Sequence, residues 1–173
     1  ATVGAGAAGS SSGQVVNFSQ FGRCMDVTEF NVNKGYLIVW PCKQAPDPTK
    51  VGWNQKWQMP ASGAGRITTT NGTTTYCLHS PGSTAPGQYV TVVVCPVAAT
   101  AETTWTVTGQ TASYATSYIV ADHGGRCLAP TDPAVDRYTG GGENVSKIVV
   151  ATCDGSTLQK WNAPPNILRP FPL

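Results

Sequence analysis

The chain has 173 residues, a one-domain length, with 12% charged residues and a formal net charge of +2. Its 11 basic residues form no Lys or Arg run, which excludes the electrostatic footprint of a nucleic-acid binder, and no apolar run approaches the roughly 18 residues of a membrane-spanning helix. Gly 19 and Pro 13, with abundant Thr and Val, favour short strands and tight turns over a helical bundle.

Residues 1–13 are almost entirely Ala, Gly and Ser. They carry too little apolar surface to offset ordering, so a flexible linker is expected. Such a linker suits an upstream catalytic domain or membrane anchor, and a frayed terminus suits it equally. No charged-then-apolar leader is present, as in a chain whose targeting or anchoring segment has been removed.

A first unit spans about residues 14–60, with strands predicted over 14–18, 24–27 and 36–40 and a fourth from Trp57. Residues 44–52, rich in Pro and Lys, read as a surface loop. A second unit, about 61–107, has strands at 66–70, 73–78 and 89–94, a hairpin turn at Asn71-Gly72, and a closing strand at Trp105. A third, about 108–163, has strands at 117–120, 127–128 and 147–151 and another from Trp161. Its insertion, residues 131–143, contains Gly140-Gly141-Gly142 and is expected to be a mobile loop. Residues 164–173 form a Pro-rich tail, expected to be extended. No segment sustains a helical period.

Each unit repeats one grammar: an opening cysteine, a closing cysteine after an apolar run, then a tryptophan. The openers Cys24, Cys77 and Cys127 recur at a period of roughly fifty residues. Six cysteines could pair in about fifteen ways, and the repeat selects Cys24–Cys42, Cys77–Cys95 and Cys127–Cys153. A zinc site is the rival, but no CxxC pair exists and the two histidines stand alone. Disulfides imply an oxidising compartment, so the protein is expected to be extracytoplasmic, secreted or at the cell surface. No repeat could bury its apolar face alone, so about twelve strands should close around a shared axis. Trp57, Trp105 and Trp161 then become core wedges, one per repeat.

Gly22-Arg23-Cys24-Met25-Asp26-Val27, Trp40-Pro41-Cys42-Lys43 and Asn54-Gln55-Lys56-Trp57 resemble the ricin-type lectin domains, whose Q-x-W signature returns at Gln159-Lys160-Trp161. The resemblance covers about residues 14–163. It implies an all-β fold, a β-trefoil of three pseudo-repeats with one disulfide each. It also implies a non-catalytic carbohydrate-binding module, of the type attached to actinobacterial enzymes, with one potential sugar pocket per repeat. Sugars present adjacent hydroxyls and an apolar C–H face, which a carboxylate, an amide and an aromatic ring meet respectively. On that pattern the first-repeat site is Asp26 for hydroxyls, Trp40 for stacking, and Asn54 with Gln55 as the amide pair. The family often places a glutamine four residues before the second cysteine, where this chain has Ile38, a change expected to weaken the pocket or alter its sugar. The corresponding residues are His79, Val93 and Glu102-Thr103 in the second repeat, and Ala129, Ala151 and Leu158-Gln159 in the third. At most one working pocket is therefore expected.

No catalytic residues are expected. A glycosidase needs paired carboxylates, and none form a recognisable pair here. Asp122-His123 lacks any G-x-S-x-G elbow and reads as a turn beside Gly124. No cofactor or metal is implied. The expected partner is a carbohydrate, with galactose- or xylose-like units compatible, bound by a monomer. The alternative is a degenerate trefoil serving as a protein-interaction or structural module of a larger secreted or cell-surface protein.

Overall fold

The computed structural model describes residues 9–44, 47, 50–82, 86–113 and 115–164. Strand β1 (Ser10–Gly13) leads into the first repeat, with β2 (Val16–Asn17), β3 (Arg23–Asp26), β4 (Ile38–Pro41) and β5 (Trp57–Pro60). The second holds β6 (Gly63–Gly65), β7 (Thr68–Asn71), β8 (Thr74–His79), β9 (Gln88–Tyr89), β10 (Thr91–Val94) and β11 (Trp105–Thr108). The third holds β12 (Ile119–Ala121), β13 (Arg126–Pro130), β14 (Arg137–Tyr138), β15 (Val145–Ser146), β16 (Ile148–Thr152) and β17 (Trp161–Asn162).

Twelve of these strands build a β-trefoil from three equivalent four-strand sets: β17-β2-β3-β4, β5-β7-β8-β10 and β11-β12-β13-β16. In each set the last strand of one repeat pairs antiparallel with the first strand of the next. The pairing of β17 with β2 joins the third repeat to the first and closes the ring. Strands β1, β6 and β9 add to the edges of β5, β11 and β16, satisfying backbone groups that would otherwise be left open.

The strand period of two sorts the side chains. Met25 of β3, Val39 of β4 and Leu37 just before β4 enter the common core, while Cys24, Asp26, Ile38 and Trp40 take the opposite face. Trp57, Trp105 and Trp161 are fully buried. Each donates its indole N–H to the backbone oxygen of the residue that follows an opening cysteine: Met25 (3.0 Å), Leu78 (2.9 Å) and Leu128 (3.0 Å). A buried indole needs such a partner, and the sequence repeat supplies the same one three times.

The three disulfides are Cys24–Cys42, Cys77–Cys95 and Cys127–Cys153, with separations of 18, 18 and 26 residues. Each opener lies opposite the residue two before its closer, Trp40, Val93 or Ala151. Every bridge therefore staples one hairpin within one repeat.

Two expectations change. Residues 10–13 are not a free linker, because Ser10 to Gly13 pair in register with Pro60 to Trp57. The anchor is backbone pairing, which needs no apolar side chain; residues 1–8 and 165–173, including nearly all of the expected tail, lie outside the described residues. The 131–143 insertion is likewise held. β14 pairs with β15, and the Thr131 and Ser146 hydroxyls donate to the Asp136 and Thr131 carbonyls (2.6 and 2.5 Å). The Asn71-Gly72 hairpin forms as predicted, with Gly72 at φ 63°.

Candidate functional site

Asp26 ends β3 and lies directly opposite Ile38 of β4. A short 3-10 turn, Trp53–Gln55, is tied to the strand end by the bond from Val27 N to Asn54 O (2.9 Å). That turn brings two amides onto the carboxylate. Asn54 Nδ2 donates to Asp26 Oδ1 (3.2 Å), and Gln55 Nε2 donates to Asp26 Oδ2 (2.8 Å). Lys43, just past the closing cysteine, donates from Nζ to Asn54 Oδ1 (2.6 Å) and stands 4.1 Å from the centroid of the Phe30 ring. Asp26 is 3% exposed and Asn54 2%. Burial pushes the Asp26 carboxyl up to about 6, against the opposing pull of Gln55, Lys43 and Asn54. Burial likewise lowers Lys43, a shift only partly offset by the charge of Asp26.

Gln55 has a second duty. Its Oε1 accepts from Lys43 N (2.9 Å) and Gln14 Nε2 (3.0 Å), and its Nε2 also reaches Pro41 O (3.2 Å). Gln159 does the same in the third repeat, accepting from Asp154 N (2.9 Å) and donating to Thr152 O (2.8 Å). Both glutamines clamp the chain around a closing cysteine; only Gln55 also has a carboxylate to hold, because the Asp26 position is Ala129 in the third repeat. In the second repeat Thr103 occupies the glutamine position and His79 the aspartate position.

Of the four residues expected at the site, Asp26, Asn54 and Gln55 share one network. Trp40 occupies the same face as Asp26, one diagonal along the β3–β4 pair. Its ring meets Tyr138 edge-on, at 6.1 Å between centroids, and the backbone of Gly141. A Cβ at Gly141 would fall 2.9 Å from the Trp40 ring, and its φ is 68°, so glycine is required there. Lys43 and Phe30 were given no role by sequence reasoning. Lys43 is adjacent to Cys42, a usable signal, but Phe30 carried none. Phe30 is 51% exposed and, like Glu29, sits at φ 56°, a left-handed conformation that is costly for such residues. Asp122 accepts the backbone N–H groups of Gly124 (3.0 Å) and Arg126 (2.9 Å), the geometry of a capped turn.

The ricin-type beta-trefoil lectin domain model matches residues 11–161. The chain belongs to this family and is a carbohydrate-binding module by class. Its fold is similar to that of ThreeFoil, a designed threefold-symmetric protein, at 17% identity over 87% of this chain and 96% of that one, with a TM-score of 0.58. It is similar to the agglutinin of Abrus precatorius at 20% identity (TM-score 0.61), covering 90% of this chain and 48% of that one. It is also similar to an exo-beta-1,3-galactanase from Clostridium thermocellum at 17% identity (TM-score 0.60), covering 88% of this chain and 30% of that one. The chain thus spans less than half of the latter two, and these likenesses bear on the fold alone. No curated protein matched the sequence.

Proposed function

We propose that this chain is a non-catalytic, extracellular carbohydrate-binding module with one working pocket, in the first repeat. Asp26 and Asn54 engage adjacent sugar hydroxyls, Gln55 holds Asp26 in place, and Trp40 flanks the sugar's C–H face. Lys43, whose Nζ donates to Asn54 and stands beside the Phe30 ring, adds a cationic donor at the rim. The observation that carries this reading is the buried Asp26 carboxyl, set between two side-chain amides beside a lysine. A carboxylate kept at such a desolvation cost is a candidate functional group, and the equivalent positions His79 and Ala129 carry no carboxylate. Three disulfides fit an oxidising, extracellular setting.

Titration with galactose and xylose, preceded by a glycan array, tests this. The wild type should bind its sugar with Kd on the order of 0.1–1 mM. Asp26→Asn should weaken binding at least tenfold and Trp40→Ala severalfold, with melting curves showing that both variants fold. Absence of glycan binding at millimolar concentration would return the chain to the protein-interaction reading, and wild-type affinity in Asp26→Asn would remove the site assignment.

A further inference from the structure

The three hairpins meet on the pseudo-threefold axis through Leu37, Val90 and Ile148, each five residues before a closing cysteine and each buried. They are laced together by bonds from Ile148 N to Leu37 O (2.9 Å) and from Val90 N to Ile148 O (3.1 Å). Strand alternation then turns the preceding residues, Tyr36, Tyr89 and Lys147, outward around the axis. The Tyr36 and Tyr89 ring centroids lie 5.8 Å apart, and Lys147 Nζ stands 4.4 Å from the first and 5.1 Å from the second. From the third-repeat insertion, Tyr138 joins this group at 6.3 Å from Tyr36 and 6.1 Å from Trp40. Rings thus run without a break from Tyr89 through Tyr36 and Tyr138 to Trp40, with all three repeats contributing.

The charges within this surface cancel locally. Lys147 pairs with Asp136 at 3.1 Å and Lys34 with Glu29 at 3.2 Å. The Tyr89 hydroxyl donates to Asp136 and the Tyr138 hydroxyl to Glu29. The rings are tilted to one another by 50°, 56° and 69°, and Lys147 covers part of Tyr36 and Tyr89. The surface is a stepped row of half-buried and exposed rings with phenol and carboxylate oxygens that retain acceptor capacity, its paired charges leaving little to attract a polyanion or polycation. An uncharged chain with apolar C–H faces and many hydroxyl donors fits that chemistry. Four consecutive rings exceed what one sugar unit can cover.

We infer that Tyr89, Tyr36, Tyr138 and Trp40 form an extended platform for a neutral oligosaccharide, running from the first-repeat pocket to the pseudo-threefold axis. The inference rests on the pocket reading only at its Trp40 end. It is tested by titrating the full chain with xylose, xylotetraose, galactose and a β-1,3-linked galactotetraose. One tetraose should bind at least tenfold more tightly than its own monosaccharide, beyond the roughly fourfold advantage that four alternative registers confer by counting alone. Tyr89→Ala, remote from Asp26, should abolish that advantage and leave monosaccharide affinity unchanged; Tyr138→Ala provides a second variant. Monosaccharide binding with no tetraose advantage, or an advantage that survives both substitutions, would overturn the platform and leave the pocket standing. Loss of all binding in the wild type would overturn both.

Discussion

At Asp26 two opposite pH dependences arise from one carboxyl. Ile38 faces it across the strand pair and the 53–55 turn covers it, so burial raises its folded value from 3.8 to about 6. The folded state therefore holds the proton more readily than the unfolded chain. The resulting stability is fully present below the unfolded value and is lost as pH rises through about 6. Two pK units correspond to about 3 kcal/mol. Urea unfolding between pH 4 and pH 7 should show the wild type losing about 2–3 kcal/mol relative to Asp26→Asn. Sugar affinity should move the other way, rising over the same interval as the carboxylate gains its second acceptor oxygen. Parallel stability curves for the two proteins would show that Asp26 is not desolvated as described.

At the scale of elements, the short turn before each closing tryptophan decides what a repeat can do. The turns Trp53–Gln55 and Thr157–Gln159 both use glutamine to clamp the chain around a closing cysteine. Gln159→Ala should cost about 1–3 kcal/mol, the cost of leaving buried backbone groups unpaired, and leave sugar affinity untouched. Gln55→Ala should cost a similar amount and also lower affinity about tenfold, because Asp26 Oδ2 loses its partner. Paired melting and titration measurements separate the two effects; unchanged affinity in Gln55→Ala would mean that Asp26 is positioned without it. The Q-x-W pattern was legible in both places. That one glutamine serves a carboxylate and the other only the backbone follows from Asp26 against Ala129, a difference visible at single positions once the repeats are aligned.

Across the whole molecule, the repeats are joined by more than the core. Asp122 and Arg126 form a buried ion pair of the third repeat, which reaches Ser80 of the second through Asp122 (2.6 Å) and Arg126 (3.0 Å), and Gln88 through Arg126 (3.2 Å). Burial works to raise the Asp122 carboxyl, yet the hydrogen bonds from Arg126 and Ser80 prevail and hold it below its usual range. Its stabilising contribution is thus present above the ordinary carboxylate value and lost as pH falls through the lowered one. Asp122→Ala should cost about 3–5 kcal/mol by leaving the Arg126 guanidinium buried without that carboxylate. The double change Asp122→Leu with Arg126→Met should cost less than Asp122→Ala, because no buried guanidinium remains, although the Gly124 and Arg126 N–H groups and the Ser80 hydroxyl still lose their acceptor. Denaturant unfolding of the three proteins checks this, and a single-variant cost under about 1 kcal/mol would show the pair to be solvated.

The threefold closure, the cysteine pairing within each lobe and the tryptophan wedges were decided by the sequence alone, because each depends on a local pattern repeated at a fixed period. The strand made by Ser10–Gly13 escaped it, since backbone pairing to β5 leaves no mark in side-chain chemistry. The same holds for the meeting of Tyr36, Tyr89 and Tyr138, whose proximity exists only once three hairpins converge on one axis. Desolvation of Asp26 is likewise a property of what the fold stacks around it, so only the tertiary structure could assign that carboxyl its unusual proton affinity.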